Sequence, residues 1–127
     1  MSDHNTIVSS VVEMVNIAEV WENRRAILDS SFDQAEEEEL AERHIRSTAG
    51  VLALKKAIRT LIHLKTGHYL HEKNLLISRL PTGGPILKSV ANPPKLSSFE
   101  WRKLFLSISH SRQTAYGLAV YQGAADE

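Results

Sequence analysis

The chain contains no cysteine, which excludes disulfides and thiol chemistry and fits a reducing compartment. It also carries no net charge, because fifteen Lys and Arg balance fifteen Asp and Glu. No global field therefore steers it toward nucleic acid or a membrane surface. Aromatic residues make up only 6%, and the basic helix described below is poor in them, which disfavours a nucleic-acid role. No apolar run approaches the roughly 20 residues that cross a bilayer. The opening Met-Ser-Asp-His-Asn-Thr lacks the basic and apolar segments of a secretory signal. The expectation is a soluble, cytoplasmic protein. With 127 residues, it is long enough for one domain around one core, ordered over about residues 6–121.

Recognition through charge must be local, and the charges are unevenly placed. Glu36 to Glu39 form an acidic run, and a basic stretch follows from Arg43 to Lys65. The longest uninterrupted helical pattern spans 46–64. Ala49, Leu52, Ala53, Ala57, Leu61 and Leu64 recur there at three- and four-residue spacing and share one face. The small residues Ala49, Gly50, Ala53 and Ala57 let another backbone approach closely. Lys55, Lys56 and Arg59 sit where cations meet an anionic ligand or water.

Around this helix the pattern predicts shorter elements. Residues 6–15, rich in Val and Ile, read as a strand buried on both faces. Helical spacing covers 17–28, and Ser31 with Gln34 predicts a capping box before a second helix over 33–43. The four glutamates of that helix read as a solvated first turn that favours the positive end of the helix dipole. Gly67 is the stop signal of the long helix. Strands are predicted over 74–80 and 86–90, joined by the turn Pro81-Thr-Gly-Gly-Pro85. Ser97 and Glu100 predict a capped helical turn through Trp101. Strands over 105–109 and 116–121 form an antiparallel pair, and the tail from Gln122 reads as frayed. This order argues an α+β fold with helices packed on an antiparallel sheet.

Other chemistries find little support. His68 and His71 have no carboxylate at metal-ligand spacing. Ser109 and Ser111 flank His110 without the Gly-x-Ser-x-Gly elbow of a hydrolase. Trp21 and Trp101 are expected to anchor packing.

Three segments in order carry a resemblance. They are Ser10-Val-Val-Glu-Met-Val-Asn-Ile, Ala49-Gly-Val-Leu-Ala-Leu-Lys-Lys-Ala, and Leu106-Ser-Ile-Ser-His-Ser with the following Ala115-Tyr-Gly-Leu-Ala-Val. Together they resemble the trimeric holo-acyl-carrier-protein synthases of the phosphopantetheinyl transferase superfamily. That family carries Gly-Ile-Asp-Ile-Val-Glu-Ile, Ala-Gly-Arg-Phe-Ala-Ala-Lys-Glu-Ala and Ser-Ile-Ser-His in the same order. Gly83-Gly-Pro85 partly matches its Gly-Lys-Pro turn.

The resemblance implies a homotrimer that binds coenzyme A between subunits. It also implies transfer of the phosphopantetheine arm onto a serine of an acyl carrier protein, with magnesium holding the pyrophosphate. It places Lys55 and Glu13 in catalytic roles, and Lys56, Arg59, Gly84, Pro85, Ser109, His110 and Ser111 at the coenzyme A. The metal-binding aspartate of the family falls on Ser10 and its glutamate on Lys56. The docking arginine falls on Asn16, and a helix lysine on Thr60. Magnesium requires anionic oxygens, so a hydroxyl and an ammonium in these positions predict an eroded metal site. Ser10, Lys56 and His110 are then expected to converge.

The expected role is binding of coenzyme A, a carrier protein or related subunits, with transferase activity weak or lost. One alternative is an active transferase that recruits metal through Glu13 or a substrate oxygen. A second is a structural or assembly protein that keeps only the trimeric scaffold.

Overall fold

The computed structural model describes residues 6–93 and 99–124. Strand β1 (Thr6–Asn16) leads into helices α1 (Ile17–Glu22), α2 (Arg24–Ser31) and α3 (Gln34–Leu40). The long helix α4 (Ile45–Thr66) follows, then the hairpin of β2 (Leu75–Arg79) and β3 (Pro85–Val90). Strands β4 (Leu104–His110) and β5 (Thr114–Ala124) close the chain. The fold is α+β, with a three-stranded antiparallel sheet in the order β1-β5-β4 and a separate two-stranded one, β2-β3.

Helix α4 lies across the inner face of the larger sheet because its small residues permit it. A side chain at Gly117 of β5 would run into the helix backbone at Ala53 and Leu54. A Cβ on Gly50 would stand 2.6 Å from the Ile108 Cγ2. The helix ends as the sequence predicts, at Gly67 with φ of 80°, a conformation that glycine adopts without steric cost. One apolar cluster joins the later half of α4 to Leu75, Ile77, Phe99 and Tyr121. A second joins Ala49 and Leu52 of its first half to Ile17, Val20, Leu28 and Phe32.

Several boundaries differ from the sequence reading. The single helix over 17–28 is two, broken at Asn23. Asn16 caps α1, its side chain accepting from the Glu19 N–H. The capping box before α3 belongs to Asp33 and Glu36, not Ser31 and Gln34. Strand β5 continues to Ala124, into the tail expected to fray from Gln122. Ser97 lies outside the described residues, and a 3-10 turn occupies Trp101–Lys103.

Strand β1 is not buried on both faces. Ser9 and Glu13 bond to Lys65 and Thr60 of α4, so odd-numbered positions face the helix. Even-numbered positions face outward, and Val8, Val12 and Met14 are about 60% exposed (62%, 58% and 64%). On β4, Phe105 joins this outer face through its pairing with Val120, the Cα partner of Ser10. The β-branched run thus reflects an apolar outer sheet face that one chain leaves uncovered.

Candidate functional site

The residue expected to be catalytic, Lys55, is fully buried. Its ammonium donates to Glu36 Oε1 at 2.6 Å, the Ser31 carbonyl at 2.8 Å and the Glu72 carbonyl at 3.1 Å. An ammonium has three N–H groups, and all three are engaged. Lys55 therefore has no donor left for a ligand, and its geometry is that of a staple joining α2, α3, α4 and the 3-10 turn Glu72–Asn74. Burial lowers the Lys55 pKa from its ordinary value, against the attraction and hydrogen bond of Glu36.

Glu36 corrects the reading of the acidic run. It is 4% exposed, and besides Lys55 it accepts from the backbone N–H of Ile77 at 2.7 Å and of Asp33 at 3.0 Å. A buried carboxylate is tolerable because an ammonium and two amide donors satisfy it.

A second carboxylate, Glu72, gathers the exposed end of this network. Ser31 Oγ donates to it at 2.7 Å, Arg59 at 3.1 Å and Lys56 at 3.5 Å. Burial acts to raise its pKa, but the Ser31 hydrogen bond and the two cations outweigh burial and hold it below the ordinary value. Lys56 and Arg59 also line a recess of about 260 Å³ that includes Glu13. Glu13 accepts there from Thr60 Oγ1 at 3.1 Å.

A cleft of about 410 Å³ opens between the start of α4, the β2-β3 hairpin and β4. Arg43, Arg46, Arg79 and His110 line it, together with the turn residues Gly83, Gly84 and Pro85. Arg43 pairs with Glu39 at 3.3 Å. Arg46 and Arg79 have no carboxylate partner among the described residues. Glu36 and Glu39 also line the cleft but are engaged by Lys55 and Arg43. The charge left to a ligand is that of Arg46 and Arg79, and the first turn of α4 adds the positive end of its dipole. Such an arrangement holds phosphate-like anions, since guanidinium forks match their oxygens.

Of the expected coenzyme A residues, the structure brings Gly84, Pro85 and His110 together in this cleft. Ser109 stands beside it on the exposed outer face of β4. Ser111 closes the β4-β5 turn through hydrogen bonds with Thr114. Lys56 and Arg59 lie elsewhere. Sequence reasoning missed Arg43, Arg46 and Arg79. Their signal is positional: two arginines bracket the start of the long helix, and one ends the strand before the Gly-Gly-Pro turn.

The expected convergence of Ser10, Lys56 and His110 does not occur within one chain. Ser10 is on the outer sheet face, and it lines neither the two grooves that hold Lys56 nor the cleft that holds His110. Lys56 instead shares a groove of about 530 Å³ with Asn16, Glu19, Asn23 and Ser31, over a floor of Val20, Ile27 and Leu52. Asn16, not Ser10, is the end-of-strand residue facing Lys56's groove.

The donor set of this groove does not suit magnesium. Glu19 is its one carboxylate, Asn16 already caps α1, and Lys56 is a cation. No group of three or more metal-ligating His, Asp or Glu occurs among the described residues. Magnesium is held by one or two carboxylates with water and phosphate oxygens completing its shell, and here an ammonium beside the single carboxylate opposes a divalent cation.

No protein-family model matches the chain, and no curated protein matches it. Solved structures do. A holo-(acyl-carrier-protein) synthase from Bacillus anthracis, in complex with CoA (3',5'-ADP), superposes with a TM-score of 0.72 at 17% identity, covering 93% of this chain and 98% of the other. The Helicobacter pylori holo-[acyl-carrier-protein] synthase in complex with coenzyme A gives 0.64 at 22% identity, over 87% and 97%. The Plasmodium yoelii acyl carrier protein synthase with ADP bound gives 0.69 at 16%, over 93% and 97%. At these identities the likeness establishes the fold alone: the chain has that of the holo-acyl-carrier-protein synthases.

Proposed function

We propose that the chain binds coenzyme A, has an acyl carrier protein as partner, and transfers phosphopantetheine weakly or not at all. The observation that carries this reading is the cationic cleft, where Arg46, Arg79 and His110 meet the Gly83, Gly84 and Pro85 turn. Coenzyme A is a polyanion, and two guanidinium groups of this cleft, Arg46 and Arg79, have no carboxylate partner among the described residues. The fold supports the same ligand class, since two of the solved proteins that share it hold coenzyme A or its 3',5'-ADP portion.

Loss of transfer follows from the groove beside Lys56. Asn16-Ile-Ala-Glu-Val matches the family pattern Asp-Ile-Val-Glu-Ile about as well as Ser10-Val-Val-Glu-Met does. Of the two leading residues, Asn16 and not Ser10 lines the groove with Lys56. In this register both metal carboxylates are still replaced, by an amide and an ammonium. Recruitment of metal through Glu13 is disfavoured, because Lys56 and Arg59 line its recess and Thr60 donates to it. We further propose that the chain is a homotrimer whose apolar outer sheet face is covered by other copies. Coenzyme A would then lie between protomers, spanning the cationic cleft of one and the Lys56 groove of the next.

Titration calorimetry with coenzyme A tests the reading. Binding is expected for the wild type, and Arg46→Ala with Arg79→Ala should weaken it by about a hundredfold, two charge-assisted hydrogen bonds being lost. Unaltered affinity in that double variant would move the ligand out of this cleft. Mass measurement of an apo carrier protein after incubation with coenzyme A and magnesium tests transfer. Loading at enzymatic rates would overturn the proposed loss.

A further inference from the structure

We infer that Lys56 is a built-in cation for a pyrophosphate ligand, so that nucleotide binding by this chain requires no divalent metal. The inference rests on the reading that coenzyme A or a related nucleotide reaches the groove of Asn16 and Lys56.

The charges of the surrounding network support it. Lys55, Lys56 and Arg59 bring three cations, and Glu36 and Glu72 bring two carboxylates. Lys55 is committed to Glu36 and two carbonyls. Glu72 already receives Ser31 on Oε1 and Arg59 on Oε2. The Lys56 contact, at 3.5 Å to that same Oε2, is the longest of the set. Over these ion pairs one positive charge is in excess. Glu13, in the recess that Lys56 and Arg59 also line, pairs with neither and accepts from Thr60. The side chain placed to present charge to the groove is Lys56, 39% exposed.

Its competitor is Glu19, which also lines the groove and is exposed to water. An exposed carboxylate is screened and can turn away from an incoming anion. Lysine serves phosphate as a compact point charge with three rotatable donors. It needs no octahedral shell of oxygens, which magnesium demands. The same ammonium that repels a divalent ion can therefore replace its effect on bound phosphate.

The test uses the full-length protein and coenzyme A in titration calorimetry, with EDTA and then with magnesium. Equal Kd values, within about twofold, are expected in both buffers. Lys56→Gln should weaken binding about tenfold or more in both, the loss expected for one charged hydrogen bond. Its fold should persist, because Arg59 and Ser31 still satisfy Glu72. Magnesium tightening the wild-type complex tenfold would overturn the inference without any variant. So would a folded Lys56→Gln protein that binds coenzyme A unchanged in EDTA. Failure of the wild type to bind in either buffer would overturn the proposed function itself, and the inference with it.

Discussion

Lys55 and Glu36 illustrate how a residue's environment decides between chemistry and structure. The ammonium is enclosed by three acceptors, so its removal strands a buried carboxylate that keeps only two amide donors. Lys55→Met is expected to cost about 3–5 kcal/mol, as for other buried pairs broken from one side. Denaturant unfolding measures the loss, and whatever fraction remains folded should bind coenzyme A with wild-type affinity. Glu72 gives a pH signature. Its folded pKa is depressed, so its contribution is present above the unfolded value near 4.5 and disappears as pH falls through the folded value. Thermal unfolding across that acid range should show a declining Tm that is flatter in Glu72→Gln. At this scale the sequence was least legible. Four consecutive glutamates look solvated, and nothing local reveals that the first is drawn inside by a lysine nineteen residues later and by the Ile77 amide.

Helix α4 was legible because its signal is redundant. Apolar periodicity, small residues on one face and a terminal glycine agree on one element, and it appears over Ile45–Thr66. Its contact with β5 makes a graded prediction. Gly117→Ala thrusts a methyl group into the helix backbone at Ala53 and Leu54, which cannot yield without moving α4. The cost should reach or exceed the upper end of the roughly 1–3 kcal/mol typical of overpacking. Gly50→Ala meets the Ile108 side chain at its Cγ2 branch, where a β-branched residue has little freedom to turn away. The gain in helix propensity, about 1 kcal/mol, offsets only part of that clash. By denaturant titration it should destabilise, but less than Gly117→Ala. The short helices were less legible, since the break between α1 and α2 depends on Asn23 ending one helix and starting the next. Strand β1 misled in another way: a continuous apolar run has the same composition whether its second face meets a helix or another molecule.

For the whole molecule, the outer face of the β1-β5-β4 sheet carries Val8, Val12, Met14 and Phe105, each more than half exposed. Apolar surface of this kind signals association. Val12→Glu should leave a folded protein of lower mass than the wild type by light scattering, while an unchanged mass would remove this face from the proposed homotrimer. The family pattern was readable in the sequence to the level of fold, but its register on β1 was not. Two five-residue segments, starting at Ser10 and Asn16, fit it nearly equally, and what separates them is position along β1: Asn16 ends the strand beside the groove of Lys56 and Ser10 does not. The cationic cleft escaped notice for a related reason: Arg46 and Arg79 stand 33 positions apart and meet through the packing of the hairpin beside α4.

A crystal structure of the protein with coenzyme A tests the account most directly. Phosphate oxygens within hydrogen-bonding distance of Arg46 and Arg79, beside His110 and the Gly83, Gly84 and Pro85 turn, are the predicted result. A nucleotide bound at any other surface, with those two guanidinium groups facing only water, would contradict it.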